Sequence, residues 1–446
     1  VTGEELRDLR RRSAAAVWHP FTEMGSFASS DFPVIVSAKG SVLRDASGRE
    51  YLDGTSSWWC ANLGHGHEGI VSAIREQAAT LQHTLLGGAT HPRAVEAAER
   101  LSALAPRGLG HAMFAADGTL SVEAAMKIAL QYRHNRGEEG RTGFVSLSDG
   151  YHGDSLAAVG AGYIDGFHRP FLPALRRTLS ALSPHCARCP FGLARPGCGV
   201  RCFDSMAEIV AEHHRSLTAV LVEPLCQAAA GMRIYPPEYL VRLRELCDRH
   251  GLLLVADEIA TGFYRTGAPF ACDVAGIRPD LMTVGKGLTG GTVPMSAALA
   301  TDEVFDAFLP AEDGTARTFF HGTTFCGNPV TAAAACAALS AYGEVGFAEG
   351  VAEGSHRLAA IVERLSEALG GSYGASLGMI GMVEIGEGEG GAERARRIVR
   401  KAFEEGLMIR PLGPVLYLWP PLTATAAELE RMGEILAAAA RGTSAR

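Results

Sequence analysis

The sequence predicts an α/β fold built on a mostly parallel sheet, with a smaller α+β domain attached. Three observations carry this. Short, largely apolar runs recur through the middle of the chain, at 142–147, 219–223, 251–257, 281–284 and 297–300. Helix-length stretches separate most of them, as crossover connections between parallel strands require. After about residue 345 the alternation gives way to helix, strands around Gly378–Ile385, helix, and a strand over Gly413–Trp419.

Each element has a local cause. Residues 1–20 carry a charged helical pattern that breaks at His19-Pro20, where the pyrrolidine ring cannot continue a helix. Ile35 to Asp53 reads as short strands around the turn Asp45-Ala46-Ser47-Gly48. Apolar periodicity predicts helices over Glu68–Gln82 and His91–Ala105, and a longer one from Ser121 to about Arg136 behind Asp117-Gly118-Thr119. The Gly/Glu patch 386–391 reads as a loop tip. The expected division is 1–60 as the N-terminal segment of a small domain, 61–344 as a large domain, and 345–446 as the C-terminal part of the small one.

Composition narrows the function classes. The chain has 446 residues, 47% of them hydrophobic and 20% charged, which is ordinary for a globular enzyme. With 41 basic and 49 acidic residues the formal net charge is −8. That balance gives no general attraction to nucleic acid or to an anionic membrane. The first residues lack the basic and apolar regions of a signal peptide, and no apolar run approaches the ~20 residues of a membrane span. The expectation is a cytoplasmic protein whose ten cysteines are mostly free thiols.

Two residues carry the chemistry. Asp257 ends the apolar run Leu252–Ala256, and Lys286 follows another, flanked by Gly285 and Gly287. Strand ends of a parallel sheet are where ligands lodge. A lysine there is costly as a free cation, and the cost falls if its amine forms a Schiff base. An aspartate for a pyridine nitrogen and a lysine for an aldehyde are the pair that pyridoxal phosphate requires. Taken singly, Asp257 also reads as a helix cap and Lys286 as a snorkelling surface residue. Asp117-Gly118-Thr119 suits a phosphate at a helix N-terminus, and equally a plain cap. Tyr151, in Tyr151-His152-Gly153-Asp154, could cover a flat ring.

The run Val255-Ala256-Asp257-Glu258-Ile259-Ala260-Thr261-Gly262-Phe263-Tyr264-Arg265-Thr266-Gly267, followed by Pro279-Asp280 and Gly285-Lys286-Gly287, resembles the signature of the class III aminotransferases. The likeness extends from about residue 18 to 420. Trp18-His19-Pro20-Phe21-Thr22, Asp53-Gly54-Thr55-Ser56-Ser57-Trp58-Trp59, Val222-Glu223-Pro224-Leu225, His321-Gly322-Thr323-Thr324-Phe325 and Arg410-Pro411-Leu412-Gly413 resemble the biotin-pathway branch of that family.

The resemblance implies a fold type I enzyme using pyridoxal 5'-phosphate, an amino donor and a small oxo acid. It further implies a homodimer with shared sites and ping-pong transamination. By the same likeness Lys286 carries the cofactor and shuttles a proton, Asp257 meets the ring nitrogen, and Tyr151 stacks on the ring. Gly118 and Thr119 hold the phosphate, Thr324 reaches the phosphate of the neighbouring subunit, and Glu223 helps gate the site. A long amino-oxo acid needs an apolar tunnel with one cation at its end. Phe21, Trp58 and Trp59, together with Gly322, would line the tunnel, and Arg410 would clamp the carboxylate bidentately. Core packing is the other reading of the tryptophan pair, and a surface ion pair that of Arg410. Arg265 is open between a site role and a structural pairing.

Several positions depart from the family pattern: Phe21 where many relatives have Tyr, Tyr264 where Gly is usual, Thr323 in place of Pro, and Asp117-Gly118-Thr119 in place of Ser-Gly-Ser or Asn-Gly-Ser. The alternatives are another class III ω-amino acid or diamine aminotransferase, an aminomutase of the same fold, and a binding protein that has lost its chemistry. Finally, Cys186, Cys189, Cys198 and Cys202 cluster in a Pro/Gly-rich insert. A structural metal, free thiols and a redox pair all fit that spacing, and the insert is placed outside the active site.

Overall fold

The computed structural model describes residues 2–370, 372–386 and 388–443. Among them, seven strands form the central sheet, in the order His111–Ala115, Ser296–Ala300, Leu281–Val284, Leu253–Asp257, Leu217–Val222, Gly143–Leu147 and Leu179–Ala181. Leu253–Asp257 is central and runs parallel to both neighbours. Ser296–Ala300 runs antiparallel to both of its own. The expected α/β fold with a mostly parallel sheet is the fold observed.

The apolar runs are explained by what covers them. Ala219, Leu221, Leu253 and Val255 face helix Gly118–Asn135 through Val122, Ala125 and Ala129. Their alternates Val220, Val222 and Leu254 face helix Pro237–His250 through Leu240 and Leu243. Successive side chains of a strand point to opposite faces, so a sheet covered on both sides needs apolar residues at every position. The two edge strands lie outside the expected set. Leu179–Ala181 is three residues long, and His111–Ala115 is only partly buried.

A second sheet joins distant parts of the chain. Ile35–Lys39, Val42–Asp45 and Glu50–Asp53 form an antiparallel meander, and Leu407–Met408 adds in parallel with Leu407 opposite Leu52. A third sheet sets Ile380–Glu384 between Tyr373–Leu377 and Val415–Leu418, all antiparallel. Patch 386–391 corrects an expectation, because helix Gly388–Glu404 begins inside it. Gly391 is buried there, and a Cβ on it would meet the Gly386 carbonyl carbon and Pro414 at 3.0 Å. The glycine therefore marks close packing rather than a tip. Glu387 lies outside the described residues. No single helix among the described residues is long and apolar enough to cross a membrane.

Candidate active site

Three adjacent strands deliver their carboxyl ends to one place. Asp257 closes Leu253–Asp257, Glu223 follows Leu217–Val222, and Lys286 stands just past Leu281–Val284. With Gly118, Thr119 and Tyr151 they line a cavity of about 230 Å³.

Asp257 is buried and fully engaged. Its Oδ2 lies 2.7 Å from His152 Nδ1, and its Oδ1 accepts from the Thr283 hydroxyl and the Ile259 amide at 3.2 Å each. Burial pulls the His152 imidazolium down, but the Asp257 hydrogen bond and charge outweigh it and leave the histidine raised. Lys286 is held in the left-handed region at φ 43°, an uncommon conformation for a side chain of this size. Burial lowers its ammonium below the ordinary lysine value, against the opposing charges of Asp257 and Glu223. Its Nζ lies 5.2 Å from the Trp59 ring centroid.

Glu223 Oε1 accepts the Tyr151 amide at 2.9 Å and Oε2 the Ala228 amide at 3.3 Å. Burial pushes this carboxyl up to about 7, helped by the nearby Asp257 charge and opposed by His152. Tyr151 donates to Asp154 Oδ2 at 2.8 Å. Burial, then that hydrogen bond, raises its phenol.

The opposite wall is a helix N-terminus. Asp117 caps Gly118–Asn135 by accepting the Leu120 amide at 3.1 Å, so this helix starts three residues before the periodic pattern. The cap reading is thus observed, and Gly118 and Thr119 line the inner cavity beside it. A Cβ on Gly118 would come within 3.0 Å of Ile259, and one on Gly153 (φ 118°) within 2.3 Å of the Thr119 hydroxyl. These glycines let backbone approach the cavity closely.

An outer cavity of about 820 Å³ shares Trp59, Tyr151 and Lys286 with the inner one and adds Phe21, Trp58 and Arg410. Four consecutive non-glycine residues, Ser56 (φ 46°), Ser57 (45°), Trp58 (77°) and Trp59 (68°), are left-handed. Buried Asp53 holds them, accepting the Ser57 amide at 2.9 Å, the Ser57 hydroxyl at 2.7 Å and lying 2.8 Å from His65 Nε2. The turn sends the tryptophans different ways. Trp59 is buried and donates to the Tyr417 hydroxyl at 3.2 Å. Trp58 is exposed, with the Phe21 ring at 5.6 Å and the Arg410 guanidinium at 4.7 Å.

Gly322 and Thr324 are exposed and line neither cavity within this chain. Arg265 is also elsewhere. It is fully buried, and it donates to the Met379 and Pro420 carbonyls at 2.9 and 2.7 Å and to Asn62 Oδ1 at 3.0 Å. Of its two readings, this is the structural one. The four clustered cysteines are half-buried free thiols around a cavity of about 30 Å³. Among the described residues no three His, Cys, Asp or Glu side chains are placed to hold a metal. Sequence reasoning passed over His152 and Asp53. His152 carried a signal in its place beside Tyr151, whereas nothing local marked Asp53 as the anchor of the turn.

The family model for aminotransferase class-III matches residues 27–440. The chain belongs to the class III aminotransferases. It is 39% identical to the adenosylmethionine-8-amino-7-oxononanoate aminotransferase of Geobacter sulfurreducens, covering 96% of this chain and 95% of that one. To the protein of the same name from Nitratidesulfovibrio vulgaris it is 40% identical, covering 95% and 80%. An omega-aminotransferase of Caulobacter vibrioides is 34% identical over 97% and 98% of the two chains. The crystal structure of the Methanocaldococcus jannaschii adenosylmethionine-8-amino-7-oxononanoate aminotransferase superposes with a TM-score of 0.90 at 31% identity, covering 97% and 98%.

Class III aminotransferases depend on pyridoxal 5'-phosphate, and the inner cavity fits it. A lysine and a buried aspartate occupy adjacent strand ends, with a tyrosine lining the same cavity. A helix N-terminus and two close-packed glycines leave room and amides for a phosphate.

Proposed function

We propose that this aminotransferase converts 8-amino-7-oxononanoate to 7,8-diaminononanoate in biotin biosynthesis, by ping-pong transamination with S-adenosylmethionine as amino donor. The observation that carries the proposal is the placement of Arg410 over Trp58, beside Phe21, in a large cavity that opens onto Lys286. A long apolar chain ending in a carboxylate matches that sequence of surfaces. The printed names of the relatives point the same way.

When bound, pyridoxal 5'-phosphate supplies a carbonyl that condenses with amines and a ring that takes up the electron pair freed at the substrate carbon. The chain's residues do the rest. Lys286 Nζ moves the proton at the reacting carbon. Asp257, fixed by His152 and Thr283, keeps a proton at the ring nitrogen. Tyr151 covers the ring, and the amides at Gly118 and Thr119 with the Thr119 hydroxyl hold the phosphate. Glu223 sets the charge within the inner cavity. Phe21, Trp58 and Trp59 exclude water along the substrate chain, and Arg410 binds its carboxylate.

The proposed assembly is a homodimer in which Thr324 of each chain serves the neighbouring site. Residues 61–344 are taken as the cofactor domain and 1–60 with 345–446 as the small domain. Exposed Trp18 (89%) and Phe320 (90%) support a covered face in the assembly. The compartment proposed is the cytoplasm. A second reading, an ω-amino acid or diamine aminotransferase, draws on Phe21, which offers substrate no hydroxyl. Complementation separates the two. Expressed in a bacterium lacking its own 8-amino-7-oxononanoate aminotransferase, the gene is expected to restore growth without biotin. No growth with holoprotein present would overturn the proposal.

A further inference from the structure

The outer cavity holds a polar pair that the account so far does not use. Asp149 Oδ2 lies 2.8 Å from Arg233 Nη1, and both line that cavity but not the inner one. Asp149 precedes Tyr151 by two residues and is left-handed at φ 57°. Its neighbour Ser148 is clamped, with its carbonyl accepting Gln227 Nε2 and its hydroxyl accepting the Ser183 amide, each at 3.0 Å. Gln227 in turn faces Arg233 across the ribbon Cys226–Gln227 against Arg233–Ile234. Carboxylate and guanidinium are thus bolted to one frame. The Asp149 side chain is 42% exposed and that of Arg233 18%, so the arginine backs the carboxylate and the carboxylate faces the cavity.

Charge decides what such a carboxylate is for. Lys286, Arg233 and Arg410 line the outer cavity, and Asp149 is the one acid among its described lining residues. Arg410 suits a substrate carboxylate. A substrate carrying a positive charge away from its reacting amine would meet repulsion there, except at Asp149. The oxo acid carries its amine on the carbon next to the carbonyl, beside Lys286, and has no distal cation. An amino donor with a sulfonium or ammonium in its side chain does.

We infer that Asp149 is a donor-specificity residue: it receives the distal positive charge of a cationic α-amino acid donor, with Arg233 as its positioning residue. The inference rests on the outer cavity being the substrate channel of the proposed aminotransferase. It adds a residue-level reason for the enzyme to prefer dicationic donors, S-adenosylmethionine and lysine being two of that class.

The test uses the holoenzyme and the donor half-reaction alone, followed by loss of the bound cofactor's absorbance band. Donors are matched pairs, S-adenosylmethionine with methionine and lysine with norleucine. Asp149→Asn keeps a side chain that tolerates a left-handed backbone. It is expected to slow the cationic donors by at least about tenfold while the neutral ones stay within about twofold. Arg233→Gln retains the carboxylate but removes its 2.8 Å partner, and is expected to narrow the preference for cationic donors without abolishing it. Equal slowing of cationic and neutral donors by Asp149→Asn, or an unchanged preference, would overturn the inference. The acceptor half-reaction with 8-amino-7-oxononanoate is run separately. Failure there with the donor preference intact overturns the acceptor assignment and upholds the role of Asp149.

Discussion

His152 Nδ1 lies 2.7 Å from Asp257 Oδ2, with both side chains buried at the end of the central strand. The histidine holds the orientation of the carboxylate, and the carboxylate raises the histidine. Folding therefore tightens the proton on His152 relative to its ordinary value of 6.5, since burial, which lowers it, is outweighed by Asp257. A group raised in this way contributes its full stability below the unfolded value and loses it as pH rises through the folded one. His152→Gln is expected to cost about 3 kcal/mol in denaturant unfolding of the holoenzyme near about pH 6, and less near about pH 9. A cost that grows with pH would contradict the pairing.

Glu223 shifts stability with pH in the same direction, since its folded carboxyl is also raised, but here replacement is expected to gain rather than cost. Its folded carboxyl is pushed up to about 7, chiefly by burial, while the unfolded value is about 4.3. The folded state thus binds more protons across that interval, and wild-type stability falls as pH rises through it. Glu223→Gln should gain on wild type between those values, by on the order of 2 kcal/mol above about pH 7, then level off. The check is unfolding free energy of both proteins across the pH range.

Gly153→Ala tests the close approach at the phosphate end. A Cβ there meets the Thr119 hydroxyl at 2.3 Å on a backbone with φ 118°. The substitution should cost roughly 1–3 kcal/mol and weaken cofactor retention. Thermal unfolding with and without added pyridoxal 5'-phosphate would show both, the larger loss appearing in the cofactor-dependent gain.

The fold and the inner cavity were the legible parts, for a shared physical reason. Leu253–Asp257 and Leu281–Val284 are buried along their whole length, so their text is largely apolar. Asp257, which closes the first, and Lys286, just past the second, stand out by contrast. Edge strand His111–Ala115 is covered less completely and leaves a weaker signal. The start of helix Gly388–Glu404 was hidden because Gly391 there serves packing against Pro414. The left-handed turn Ser56–Trp59 contains no glycine that would announce it, and is held instead by Asp53, supported by His65. Asp149 and Arg233 meet through segments 84 residues apart, and neither is marked by periodicity or by the family motifs.

Arg410 is expected to act on binding rather than on chemistry. It stands over Trp58 and donates to the Phe21 carbonyl at 3.4 Å, leaving most of its fork for a carboxylate. Arg410→Ala should raise KM for the oxo acid by roughly 10–100-fold with kcat changed little. Arg410→Lys should recover part of that loss, because an ammonium keeps the charge and loses the fork. Equal effects on an oxo substrate lacking the carboxylate would contradict the clamp.

The most direct measurement supplies the purified holoenzyme with 8-amino-7-oxononanoate and S-adenosylmethionine and follows 7,8-diaminononanoate by mass spectrometry over many turnovers. The account expects product to accumulate in step with the deaminated donor, and to vanish in Lys286→Ala. Amination of other ketones or aldehydes by the same preparation, with no 7,8-diaminononanoate formed, would contradict it.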